Sequence, residues 1–389
     1  MDESGLPTAL GDLVACADDP DRRRLAAAGT TGLDPLVLRC GDDACTVRPG
    51  PVEASVDAGA DPDAGCVVRF GDPAHVTAFL RELTSAPGAH VLGQVTYERG
   101  GYGEFDQWEP AVRALLHGRP VFDPTAVDRS RLGRVFTADD SDELVAAHFA
   151  EYGFAVVRGV YSPGEVDAFN RAIDALIADA RPGTPHTWWT TRADGTDALC
   201  QYHYAGLASE VLGQLDADPR TLRFAALTDD GQVPCGDAGN GHFVVQKHAD
   251  ASVGLTDLPW HIDCGLGGHP INCPSLHVGV QLTASNPTVG AFSIVGGTHR
   301  SSVRRPPGAV PGDWPVVTVD TRPGDVTLHA THALHAAPHP TEPGPGRRTL
   351  YLGYKRPEAR AWLGPLRSFD DYLFAPDGHV RFDTPVAGR

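Results

Sequence analysis

The sequence predicts a two-part α+β protein, with a small α/β unit over residues 1–125 and a larger, helix-flanked jelly roll over 135–389. Three observations carry this expectation. The first part alternates short apolar strands with amphipathic helical stretches. From Phe224 onward, β-prone runs are separated by Gly and Pro turns, as in a double-sheet jelly roll. Within that second part, His261-Ile262-Asp263 is followed about seventy residues later by His335, a set of side chains suited to a metal at a strand end. At 389 residues the chain is too long for one typical domain and long enough to bury substantial cores without disulfides.

The elements follow in order. Pro35 to Cys40 reads as a strand, and the turn Gly41-Asp42-Asp43 leads back into Cys45-Thr-Val-Arg. Cys66 to Phe70 is a second apolar run. Pro73 suits the first turn of a helix whose face carries Val76, Phe79, Leu80 and Leu83. A strand over Gln94 to Arg99 precedes the flexible turn Gly100-Gly101-Tyr102-Gly103. Phe105, Trp108, Val112, Leu115 and Leu116 then mark an amphipathic helix that Gly118 ends. Residues 126–134 read as a linker within a polar stretch beginning near Phe122. Leu144, Val145, Phe149 and Tyr152 define a helix closed by Gly153, and Phe154 to Val160 alternates as a strand. Ser162-Pro163-Gly164-Glu165 opens another helix with a cap, a proline at its first position and an early acid.

Composition excludes several classes of function. Fifty acidic against 32 basic residues give a net charge of −18, which repels nucleic acid and anionic membranes. No apolar run is long enough to span a bilayer, and Met1-Asp2-Glu3-Ser4 lacks the basic and apolar regions of a secretory leader. A cytoplasmic protein is therefore expected, either a monomer or a homodimer, acting on a small molecule. The eight cysteines form no Cys-x-x-Cys pair, so reduced, packed thiols are expected, including Cys264 beside Asp263.

Strand alternation gives His-x-Asp its meaning. Side chains two residues apart share a face, so His261 and Asp263 reach one ion while Ile262 turns away. Two imidazoles and one carboxylate suit Fe(II) and leave the opposite coordination positions open. Three histidines, His329, His332 and His335, compete for the third place. Arg347 and Arg348 supply guanidinium forks suited to a carboxylate, and alternation puts Arg347, Thr349 and Tyr351 on one face with Arg348 on the other.

Residues from about 135 onward resemble the phytanoyl-CoA dioxygenase family of Fe(II)/2-oxoglutarate oxygenases. The resemblance rests on Phe149 to Val160, on Pro259-Trp260-His261-Ile262-Asp263, and on the turn Gly296-Gly297-Thr298-His299-Arg300. Gly324-Asp325, His335 and Arg347 complete the order. It implies a cupin-like double-stranded β-helix, and iron held by His261, Asp263 and His335. It also implies 2-oxoglutarate anchored by Arg347, O2 as co-substrate and ascorbate as a helpful additive. The hydroxyl residue usual two positions after the distal histidine is Ala337 here, and Thr349 is expected to substitute for it. Gln246 and Lys247 resemble positions that face the co-substrate pocket. The order of elements over residues 1–125 is similar to sterol-carrier-protein-2-like domains, which implies an apolar cavity.

The resemblance further implies oxidative decarboxylation of 2-oxoglutarate to succinate and CO2, coupled to hydroxylation of a small secondary metabolite or acyl compound. Related halogenases carry Gly or Ala in place of the carboxylate ligand, so Asp263 favours hydroxylation. Desaturation, cyclisation and epimerisation use the same ligands and stay open. So does a non-catalytic ligand-binding or carrier role centred on the N-terminal unit. Substrate contacts are expected from Thr184 to Tyr204 and from Gly265 to Ser275, with Trp188, Trp189, Tyr202, Tyr204 and Trp260 as candidates.

Overall fold

A computed structural model describes residues 8–228, 230–253, 257–265, 271, 275–306, 308–344, 346–358, 365–366 and 377–379. In the N-terminal unit, α1 (Thr8–Cys16) and α2 (Pro20–Ala27) precede strands β1 (Leu36–Cys40), β2 (Asp43–Arg48), β3 (Ser55–Ala58) and β4 (Cys66–Phe70). Then come α3 (Pro73–Leu80), α4 (Ala86–Val91), β5 (Val95–Arg99) and α5 (Tyr102–His117). The sheet runs β3-β2-β1-β4-β5, with β1 and β4 parallel. Phe70, Phe79, Phe105 and Trp108 fill the space between sheet and helices, with Phe79 and Phe105 ring centroids 5.0 Å apart. Leu83 does not join this core. Helix α3 stops at Leu80, Glu82 takes a left-handed φ of 58°, and Leu83 is left half exposed.

The polar stretch between the units docks on the second one. Phe122 N–H donates to the Ser302 carbonyl (2.9 Å), the Tyr152 hydroxyl donates to the Asp128 carbonyl (2.7 Å), and Leu132 is buried. The second unit opens with β6 (Phe136–Thr137), α6 (Asp142–Tyr152), β7 (Phe154–Arg158) and α7 (Pro163–Asp179). Ser162 and Glu165 form a reciprocal capping box at the start of α7. Gly153 ends α6 at φ 78°, where a Cβ would come within 2.6 Å of His299 Nδ1. Only glycine fits that position.

Strands β8 (Thr187–Arg192), β9 (Asp197–Tyr202), β10 (Val233–Pro234), β11 (His242–Gln246) and β12 (Ala251–Val253) come next. They are followed by β13 (Leu258–His261), β14 (Leu276–Gln281), β15 (Ser293–Val295), β16 (Val316–Thr318), β17 (Val326–Ala330), β18 (His335–Ala337) and β19 (Arg348–Lys355). The larger sheet has the order β12-β8-β9-β11-β19-β14-β17-β7-β6, with β10 also paired to β19; the smaller is β13-β18-β15-β16. These are the two sheets of the expected jelly roll.

The larger sheet has two chemically different faces. Val244, Val278, Val280, Leu328, Leu350 and Leu352 point toward the helices and form the main core with Phe149, Phe169 and Ile173. Burying each such side chain contributes ~1.5–3 kcal/mol. On the opposite face lie Phe243, His277, Gly279, Gln281, Thr327, His329, Thr349 and Tyr351, brought side by side by the register Phe243↔Tyr351, Gly279↔Tyr351 and His277↔His329. A Cβ on Gly279 would meet Thr327 Oγ1 at 2.6 Å and the Tyr351 ring at 2.8 Å, so glycine leaves room for both. This polar face is turned into the jelly roll, where the candidate site lies.

Candidate metal centre and co-substrate pocket

His261 and His335 are direct cross-strand partners on β13 and β18, with ring centroids 4.2 Å apart. Asp263 follows the end of β13 and is held by its own N–H, which donates to the Thr331 carbonyl at 2.9 Å. Asp263 Oδ1 lies 3.2 Å from His261 Nε2 and 3.6 Å from His335 Nε2. The opposite ring nitrogens are both engaged: His261 Nδ1 donates to the Pro259 carbonyl (2.7 Å) and His335 Nδ1 to the Ala333 carbonyl (2.9 Å). A carbonyl can only accept, so each Nδ1 carries a proton and both Nε2 atoms face Asp263 Oδ1. This donor set, of two imidazoles and a carboxylate, fits a divalent iron ion.

The two histidines differ electrostatically. Burial and the neighbouring His261 pull His335 down to about 4. Burial also lowers His261, but the hydrogen bond and charge of Asp263 outweigh it, leaving a net rise. Asp263 is held well below the usual carboxylate range: burial opposes this, and the facing imidazoles of His335, His261 and His277 overcome it. The His261 and Asp263 side chains are about a quarter exposed, at 25% and 27%, while His335 is at 7%. The set is therefore closed on the His335 side and open on the other.

The remaining histidines separate clearly. His332 lies by His299, 6.0 Å between ring centroids, on the side of the N-terminal unit. His329 is buried on the inner face, its ring 5.0 Å from His335 and 5.1 Å from His277. His277 Nδ1 approaches Asp263 Oδ2 at 3.7 Å, so Asp263, His277 and His329 form a second cluster of ligand-type atoms behind the first. His277 was not singled out from the sequence. A signal was available, because Leu276-His277-Val278-Gly279-Val280-Gln281 alternates and puts His277 on the face of Gln281.

The Gly296 to Arg300 turn supports His335 from behind. Thr298 Oγ1 donates to the Val295 carbonyl (2.8 Å) and accepts from Leu334 N–H (3.0 Å), which fixes the residue before His335. A side chain at Gly296 would collide with Leu132, its Cβ within 2.4 Å of Cδ1. Asp325, three per cent exposed, accepts from the N–H groups of Arg322 (2.7 Å) and Gly159 (2.9 Å) and from Arg158, tying the turn before β17 to the end of β7.

Two buried cations share the inner face. Arg347 Nη1 donates to Thr349 Oγ1 at 3.1 Å and lies 3.5 Å from the Tyr351 hydroxyl, and its buried Nε has no hydrogen-bond partner. Thr349 in turn donates to Gln281 Oε1 (3.1 Å). Lys247 donates to the carbonyls of Ala337 and Pro338, the latter at 3.1 Å. Burial and the Arg347 guanidinium push Lys247 well below the usual lysine range. A buried guanidinium on this wall attracts an anion, and an anion there would in turn favour the charged form of Lys247.

Several expected positions fall elsewhere. Gln246 is on the opposite face from Lys247, as neighbours on a strand must be, and accepts from Arg348 Nε at 3.0 Å. Arg348 also reaches Asp174 (2.8 Å) and Asn170 (3.1 Å), so this outer pair serves the α7 side of the sheet. Trp260 points with Ile262 away from the metal face and packs near Val303, Trp314 and Leu334. Tyr202 packs against the main core on the helix side, and the Tyr204 hydroxyl is spent on the Gly239 carbonyl. Trp189 is buried, its indole N–H donating to Thr187 Oγ1 (2.8 Å). Trp188 borders the inner face, with His203 at 4.4 Å and, beyond it, Phe243 at 5.8 Å from His203. Of the stretch Gly265 to Ser275, residues 266–270 and 272–274 lie outside the described residues.

Residues 149–348, half of the chain, match the model of the phytanoyl-CoA dioxygenase family (PhyH). The chain belongs to this family. It is accordingly an enzyme of the iron- and 2-oxoglutarate-dependent oxygenase class. The sterol-carrier likeness expected for residues 1–125 is not borne out. No protein of curated function matches the chain. Among solved structures, AviO1 from Streptomyces viridochromogenes is 22% identical, covering 56% of this chain and 96% of its own, at a TM-score of 0.45. HygX from Streptomyces hygroscopicus, solved with nickel and 2-oxoglutarate, is 20% identical over 56% of this chain and 87% of its own, at 0.42. EctD from S. alaskensis, solved with 2-oxoglutarate and 5-hydroxyectoine, is 19% identical over 62% and 83%, at 0.45. Among the described residues, no helix is long and apolar enough to cross a membrane.

Proposed function

We propose that this phytanoyl-CoA dioxygenase family member hydroxylates a small molecule at an unactivated carbon, with His261, Asp263 and His335 holding Fe(II) and Arg347 holding 2-oxoglutarate. The observation that carries this is the pair of imidazoles, each locked by a backbone carbonyl so that Nε2 faces the Asp263 carboxylate. Iron, 2-oxoglutarate and O2 together supply the oxidising power, with succinate and CO2 as co-products. The chain's own residues supply position and dryness. Arg347, braced by Thr349 and Tyr351, offers a guanidinium to the distal carboxylate of the co-substrate. Thr349 thus takes a place beside that carboxylate, while Ala337 contributes only its backbone carbonyl, to Lys247.

Rings form a continuous wall toward the metal carboxylate: Trp188, His203, Phe243 and His277, with Tyr351 stacked on Phe243 at 5.1 Å. Burial holds His203 neutral, pushing it down to about 3. We infer a substrate that lays an apolar ring or chain along this wall.

The test is anaerobic. Fe(II) and 2-oxoglutarate added to the purified chain should give a visible charge-transfer absorbance, and air should then consume 2-oxoglutarate. Asp263→Ala and His335→Ala should each abolish the absorbance. Its retention in His335→Ala would overturn the ligand assignment.

A further inference from the structure

The backbone leaving Asp263 runs straight into the N-terminal unit. Ser85 donates twice to the Gly265 carbonyl, from its N–H at 2.9 Å and its hydroxyl at 2.7 Å. Six residues on, Ile271 N–H donates to the Glu82 carbonyl at 2.9 Å. The 82–85 turn therefore grips this segment at two points, 180 or more positions away in sequence. Gly265 sits at φ 84°, and a Cβ there would come within 3.0 Å of Ser85 Cβ and 2.5 Å of Ile271 Cγ1, so the contact is close. Asp263 and Cys264 are tied on their other side to one residue, Thr331, through its carbonyl (2.9 Å) and its hydroxyl (3.0 Å).

The turn is held rigidly from behind. Arg113 Nη2 donates to the Thr84 carbonyl (3.0 Å) and pairs with Glu109 (3.1 Å). Arg119 pairs with the Glu82 carboxylate (2.6 Å). Glu109 accepts from Ala86 N–H (3.1 Å) and from Arg305 of the second unit (2.7 Å), which also binds Asp106. Arg113, Glu109 and Asp106 are all nearly or fully buried. A buried network of this kind is costly to separate, because removing one partner leaves an unpaired charge. It fixes the N-terminal unit against the metal-bearing jelly roll at the place where the gripped segment passes.

We propose that the N-terminal unit is a working part of the oxygenase site, with Ser85 and the 82–85 turn as positioning residues for the metal carboxylate Asp263. The inference rests on the iron reading given above. It gives the N-terminal unit a role that needs no ligand of its own. Linkage makes the effect reciprocal: if the grip favours the iron-binding geometry, iron must tighten the grip.

The experiment uses the full-length chain as wild type, Ser85→Ala, Ser85→Thr and Arg305→Gln. Fe(II) is titrated anaerobically at saturating 2-oxoglutarate, and amide hydrogen exchange is followed over 79–92 with and without the metal. Ser85→Ala should weaken Fe(II) binding by ~5–10-fold, the scale of one lost hydrogen bond behind a metal ligand. Ser85→Thr, which keeps the hydroxyl, should stay within about twofold. Arg305→Gln should weaken binding in the same direction as Ser85→Ala. Metal should slow exchange over 79–92 in wild type and do so less in Ser85→Ala. Ser85 also caps α4 through Gly88 N–H (3.0 Å), so a lower melting temperature in Ser85→Ala is expected on either view and decides nothing alone. Unchanged iron affinity in Ser85→Ala, or exchange over 79–92 that ignores the metal in wild type, overturns the positioning role. Absence of the iron absorbance from wild type overturns the metal assignment and the proposal with it.

Discussion

Replacing Arg347 by Gln should separate co-substrate binding from metal binding. Arg347 is one per cent exposed, its side chain is braced by Thr349 and Tyr351, and its buried Nε has no hydrogen-bond partner. A guanidinium that meets a carboxylate in this setting makes charge-assisted hydrogen bonds of about 1.5–3 kcal/mol each. Losing a bidentate pair therefore costs about 3–6 kcal/mol, or ~10²–10⁴-fold in affinity for 2-oxoglutarate. Gln is shorter and neutral, so it can recover only part of one contact. Lys247 decides how much of the loss stays visible. Its ammonium is already engaged by the Ala337 and Pro338 carbonyls, and burial beside Arg347 disfavours its charge. It is poorly placed to take over, and Lys247→Met should cost less than Arg347→Gln.

The assay is a 2-oxoglutarate titration of the anaerobic iron absorbance, paired with the KM for 2-oxoglutarate under air. The Fe(II) affinity of Arg347→Gln without 2-oxoglutarate should stay within about threefold of wild type, because the guanidinium is bonded to Thr349 and Tyr351 rather than to the proposed ligands His261, Asp263 and His335. Its ligand-free melting temperature should hold or rise, since a buried guanidinium that disfavours the charge of Lys247 is gone. Unchanged 2-oxoglutarate affinity would refute the assignment. A parallel collapse of iron binding and melting temperature would show instead that Arg347 is structural.

His332→Ala should keep the iron absorbance that His335→Ala loses, because His332 lies beside His299 and away from Asp263; the same anaerobic titration checks it. Stability should fall as pH drops below about 6.5, where the unfolded chain protonates its histidines but the fold keeps His203 neutral down to about 3. Above that window both states are neutral there and this group adds no pH dependence; urea midpoints at pH 7 and 5 measure the slope, which His203→Phe should flatten. Leu352→Ala, at a fully buried position on the helix side of the large sheet, should cost about 2–5 kcal/mol in urea melts while leaving the iron absorbance of the folded fraction intact.

How much of this could be read in advance follows from where the contacts lie. Local pattern was enough for α7, whose cap, proline and early acid are adjacent in the chain, and for His261 and Asp263, which alternation places on one face. It was also enough to separate Arg347 from Arg348. The same rule places Gln246 and Lys247 on opposite faces of their strand, and Trp260 on the face opposite His261. The contacts of Ser85 with Gly265 and of Arg305 with Asp106 had no local signature at all, because each joins residues far apart in the chain.

A harder ambiguity concerns the polar face of the large sheet. Alternation in Leu276 to Gln281, or in Arg347 to Tyr351, says that one face is polar and the other apolar. Water and a catalytic interior look alike to such a pattern, since both accept His, Gln, Thr and Arg. What distinguishes them is partner count. A solvated face needs no mutual satisfaction, whereas here Gln281 bridges Thr327 and Thr349, Thr349 bridges Gln281 and Arg347, and Gly279 is cut back so that Tyr351 and Thr327 fit. A chain of short polar residues ending in a buried guanidinium with a spare N–H makes poor sense as a surface. It is what an anion pocket requires, and it makes Thr349 and Gln281 answerable to the 2-oxoglutarate titration as well: Thr349→Val should loosen Arg347 and weaken 2-oxoglutarate by several-fold, on the order of one hydrogen bond, without touching iron affinity.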